Sequence, residues 1–107
     1  MNLPNVIKEL VKAQQERNST EFINCFTEDA TVHDEAKIHT GKDEIRVWME
    51  QTTKEYNLSM KPLSFEGNEK EGVFKTEVSG TFPGSPIVFQ YHLEFEKKLI
   101  RSLEITS

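Results

Sequence analysis

The ten residues IVFQYHLEFE, from Ile87 to Glu96, alternate without a break: Ile87, Phe89, Tyr91, Leu93 and Phe95 fall on one side, mostly polar residues on the other. Successive side chains of a strand point to opposite faces, so this run demands a strand with one apolar face. The same period carries Phe74, Thr76, Val78, Gly80 and Phe82 onto one face and Lys75, Glu77 and Ser79 onto the other. Further strands are predicted over 60–67 and 99–105, with turns at NEKEG (68–72), at PGSP (83–86) and near 96–98. Four strands in such a meander form an antiparallel sheet whose apolar face must be covered.

The first half of the chain supplies the cover. Val6, Ile7, Leu10 and Val11 make one helical stripe after Pro4, which sits where a missing N–H costs little. Asn18 followed by Glu21 resembles a capping box, opening a short second helix in which Phe22 and Phe26 stack at i, i+4. Residues 27–30 break it, and 31–34 read as extended. Thr40 and Asp43 form another capping pattern, and Ile45, Trp48, Met49, Thr52 and Tyr56 follow as a third helix ending near Asn57. The expected fold is α+β: a cone-shaped, curved antiparallel sheet with three N-terminal helices on its concave face. At 107 residues a single domain over 1–107 is expected.

Composition narrows the partners. A net charge of −5 argues against nucleic acid or an anionic membrane, which need clustered Lys and Arg. No apolar run approaches the ~20 residues that span a bilayer, and no charged leader with an apolar segment stands at the N-terminus, so a cytoplasmic location is expected. One cysteine cannot form an internal disulfide, and Cys25 within a helical pattern reads as a small buried filler. His33 and His39 are six apart, not at the i, i+4 spacing of a helical zinc site, so no metal is expected, and the acid/base chemistry weighed below needs no cofactor.

The stretch ATVHDEAKIHTG (30–41) holds the anomaly. If Val32 faces the core, so does Asp34, two residues on. A carboxylate there is hydrogen-bonded, protonated or at the mouth of a wet cavity. It could be a strand-ending cap, or a general base whose pKa burial has raised. Tyr91 shares the inward side of its strand and could donate to an oxyanion. His39 lies five residues past Asp34, as a surface loop residue or a proton relay. Phe26, Trp48, Phe74, Val78 and Phe89 are the expected walls of a pocket for a hydrophobic or cyclic small molecule. Glu35 is expected outside or at the rim, His33 and His92 outside, and Arg101 either at the cavity or at a sheet edge.

The run FTEDATVHDEAKIHTGKDEIRVWM, with VSGTFPGSPIVFQYHLEF and LIRSLEI, resembles the SnoaL-like branch of the nuclear transport factor 2-like superfamily, which includes ketosteroid isomerases and polyketide cyclases. The resemblance implies a cystatin-like fold and a homodimer paired through the outer sheet face, where Val73 and Val88 lie. It aligns Asp34 in ATVHD with the isomerases' general base and Tyr91 in QYHLEF with an oxyanion-binding acid. Leu10 stands where the isomerases carry a catalytic tyrosine, and losing one such donor typically costs ~10²- to 10³-fold in rate, which argues against a steroid isomerase. The resemblance therefore implies an isomerase, cyclase or lyase acting on a hydrophobic carbonyl compound. The alternatives are a non-catalytic ligand-binding or accessory dimeric module, and an epoxide hydrolase or dehydratase using Arg101.

Overall fold

The computed structural model describes residues 2–107. Three helices, α1 (Asn5–Gln15), α2 (Ser19–Ile23) and α3 (Gly41–Tyr56), cover one face of a six-stranded sheet. The strands are β1 (Phe26–Asp34), β2 (Lys37–Thr40), β3 (Ser59–Gly67), β4 (Glu71–Ser79), β5 (Ile87–Glu96) and β6 (Leu99–Thr106), in the spatial order β2-β1-β6-β5-β4-β3. The meander from β3 to β6 is antiparallel throughout, as the turns predict. The β1–β6 pair is parallel, so the sheet is not antiparallel across its whole width. Side-chain period reports which face a residue takes and says nothing of the neighbouring strand's direction.

Two local expectations shift. Asn18 caps α2 by accepting from the Glu21 N–H at 3.0 Å, but the helix stops at Ile23 and Phe26 opens β1 beside Ile100. The Phe22 and Phe26 rings still meet at 5.5 Å, now across a helix-to-strand junction. At α3 the Thr40 side chain caps nothing; Glu44 Oε1 accepts from the Thr40 N–H at 2.8 Å. Gly41, with φ +85°, delays the regular helix by one residue, so the reach falls to Glu44 and not Asp43.

Two bulges bend the sheet. Between Pro62 and Ser64 the extra residue is Leu63, and between the β5 pair Glu94/Phe95 the extra residue on β6 is Arg101. An inserted residue reverses parity beyond it and sharpens the local twist. The core lies between helices and sheet, with Ile7, Leu10, Ile45 and Met49 packed on Val32, Phe74, Leu93 and Leu103. At the C-terminal end of α1, Gln14 Nε2 donates to Thr53 Oγ1 at 2.9 Å and Arg17 bonds the Asn57 side chain, tying α1 to the end of α3.

Candidate functional site

A cavity of about 190 Å³ remains where β1, β4, β5 and β6 diverge from α1 and α3. Asp34 reaches it because Val32, fully buried, sets the inward parity of β1 and the strand ends two residues later. The hairpin turn that follows consists of Glu35 and Ala36, both with positive φ (53° and 63°), between the paired residues Asp34 and Lys37. Such left-handed pairs match the twist of a two-residue hairpin, although neither residue favours the conformation. Asp34 is half-buried, and its Oδ2 accepts from Trp48 Nε1–H at 3.1 Å. Burial raises its pKa above the ordinary 3.8, as does the neighbouring Glu35; the Trp48 hydrogen bond and His39 pull the other way without cancelling the rise.

Tyr91 borders the same cavity. Its ring packs edge-on against Phe74 at 5.9 Å, which fixes the phenol's direction. No protein group bonds its hydroxyl, yet no buried side-chain oxygen is left without a partner, so the hydroxyl opens on the cavity. Burial, then the nearby Asp34, push its pKa above that of an ordinary phenol. It remains a neutral donor at any physiological pH.

Trp48, Val78 and Phe89 line the cavity beside them. Phe26 and Phe74, expected as walls, do not reach it: both are fully buried, Phe26 against Phe22 and Phe74 behind Tyr91. His39 lies in β2 and not in a loop; its ring packs on Trp48 at 5.9 Å, outside the cavity wall. Arg101 is turned away, pairing with Glu94 at 2.7 Å on the surface, because it is the bulge residue of β6. Cys25 is buried, and burial with the carboxylates of Glu9 and Glu21 pushes its thiol up to about 12. No three His, Cys, Asp or Glu side chains converge as a metal site among the described residues.

Glu35 borders it at the rim, and Gln14, Tyr56 and Phe82 are among the lining residues that had no assigned place in the site. Gln14 was visible as a polar residue four past Leu10 on the apolar stripe of α1, and Tyr56 as the i+8 partner of Trp48. Phe82 lies past the end of β4, turned in by the loop and packed on Tyr56 at 6.0 Å.

Residues 7–101 match the SnoaL-like domain. The chain belongs to the SnoaL-like domain family. No curated protein matches it. Among solved structures, a candidate polyketide cyclase from Sinorhizobium meliloti superimposes with a TM-score of 0.93 at 28% identity, covering 97% of this chain and 95% of that one. A hypothetical protein of ketosteroid isomerase-like fold from Catenulispora acidiphila, in complex with trimethylamine, gives 0.87 at 18% identity over 99% and 87%. An uncharacterised cystatin-fold protein from Novosphingobium aromaticivorans gives 0.81 at 14% over 100% and 99%. The SnoaL-like chain thus has the cystatin-like, nuclear transport factor 2-like fold. None of its helices is long and apolar enough to cross a membrane among the described residues.

Proposed function

We propose that this SnoaL-like protein is an acid/base enzyme of isomerase, cyclase or lyase type acting on a small hydrophobic carbonyl compound. The observation that carries the reading is the convergence of the Asp34 carboxyl and the unpartnered Tyr91 hydroxyl on one aromatic-walled cavity. Asp34 takes a proton from the carbon beside the carbonyl; Trp48 holds the carboxylate in one orientation; Tyr91 donates to the oxygen as negative charge develops there. A base with a raised pKa is better matched to neutral pH than an ordinary aspartate. No cofactor is required for this proton transfer. His39 then acts through Trp48, as a positioning residue.

The cavity volume narrows the substrate. About 190 Å³ is small beside the ~300–1,000 Å³ usual for ligand pockets, which favours a compact, single-ring substrate over a tetracyclic skeleton. Arg101 faces solvent, so the epoxide hydrolase or dehydratase reading has lost its cation. A homodimer is proposed through the outer sheet face, where Val88 of β5 is 45% exposed and Val73 lies on the adjacent strand β4, opposite His92. The single buried cysteine is compatible with a cytoplasmic home.

Deuterium exchange into cyclohexanone, followed by NMR, tests the chemistry. Exchange should exceed the buffer rate, fall about 10²- to 10⁴-fold in Asp34→Asn, and fall about 10²-fold or more in Tyr91→Phe. Wild-type exchange no faster than buffer, with ketone binding intact, would leave a ligand-binding module and overturn the enzyme.

A further inference from the structure

The charge of the cavity is one-sided, and proton transfer alone gives no reason for it. Asp34 and Glu35 are the charged residues along its wall; no lysine, arginine or histidine borders it among the described residues. Around them stand the rings of Phe22, Trp48, Tyr56, Phe82, Phe89 and Tyr91. Aromatic faces carry negative quadrupole charge and attract cations, so walls and carboxyl groups act in the same direction.

A third acceptor points inward from α1. Gln14 is 4% exposed, and its Nε2 is used by Thr53. Its carboxamide oxygen has no protein donor, and because no sealed side-chain oxygen lacks a partner, this atom opens on the cavity. The Thr52 hydroxyl offers it nothing, since it donates to the Trp48 carbonyl at 2.9 Å. An anionic ligand would meet two carboxyl groups and no counter-charge. A wholly apolar one would leave the Gln14 oxygen desolvated and unpaired, which is costly.

We infer that the ligand is a protonated amine: a single-ring carbonyl compound carrying an ammonium group. Glu35, exposed at the mouth, draws the cation in; the aromatic faces hold it; an N–H satisfies Gln14. The carbonyl half of this description rests on the acid/base reading above, while the ammonium half rests on the wall chemistry alone.

Trp48 is the one tryptophan of the chain, so its fluorescence reports occupancy of the site. Cyclohexylammonium, cyclohexanol and cyclohexanecarboxylate share one ring and differ in charge. At neutral pH the ammonium should bind about tenfold more tightly than the alcohol, with the carboxylate weakest. Glu35→Gln, a change at an exposed position, should cut ammonium affinity roughly threefold or more and leave the alcohol unchanged. Equal affinity for ammonium and alcohol, tighter binding of the carboxylate, no ammonium binding, or a preference untouched by Glu35→Gln would each overturn the inference. Cyclohexanone exchange that persists without an ammonium preference removes only the amine; an ammonium preference without exchange removes only the proposed chemistry.

Discussion

Strand β5 runs through two different interiors. Toward one end Leu93, 2% exposed, is packed among Ile7, Leu10 and Leu103; at the other, Phe89 and Tyr91 border open space. The same alternation produces both, so the strand does not decide which end is solid. The helices do. Early in α1 Ile7 and Leu10, both fully buried, fill the gap; one turn later Gln14 is tied sideways to Thr53 and leaves it open. The packed end contributes stability, and the open end trades packing for a carboxyl, a phenol and an amide oxygen facing one space.

That contrast can be broken by substitution. Leu10→Ala at the packed end should cost about 2–5 kcal/mol of unfolding free energy, measured by urea denaturation, with cyclohexanone affinity unchanged. Phe89→Ala at the open end should cost less, about 1–2 kcal/mol, because this ring already faces space, and should weaken ketone binding severalfold in a Trp48 fluorescence titration. Equal stability losses would erase the distinction between the two ends.

The smallest effect is electrostatic. Burial raises the folded-state pKa of Asp34 above its ordinary 3.8, so the folded protein holds that proton more tightly than the unfolded chain. Stability linked to this group is present below the ordinary value and is lost as pH rises through the raised one. Asparagine carries no charge to bury. Asp34→Asn should therefore be slightly more stable than wild type at pH 7, and thermal melts should show the gap closing near pH 3.

The fold was legible because most of its elements carry a period. β5, β4 and the stripe of α1 could be read directly, and the Asn18 cap marked α2. β2 could not: it is a four-residue edge strand with Ile38 60% exposed, and it buries no face that would leave a pattern. Parity placed Asp34 and Tyr91 facing inward and left Arg101 open between cavity and sheet edge; a bulge at that residue turns it outward to Glu94. The cavity's outer wall was hidden for a different reason. Phe82 reaches it from a loop, and the side of Gln14 that remains free depends on a partner 39 residues away.

A site-resolved NMR titration of the Asp34 carboxyl, with and without cyclohexanone, is the most direct test. A working group inside the hollow should ionise above 3.8 and shift again when the ketone occupies the space, with the second shift reduced in Tyr91→Phe. An Asp34 that titrates like a fully hydrated aspartate and ignores the ketone would contradict the account at its root.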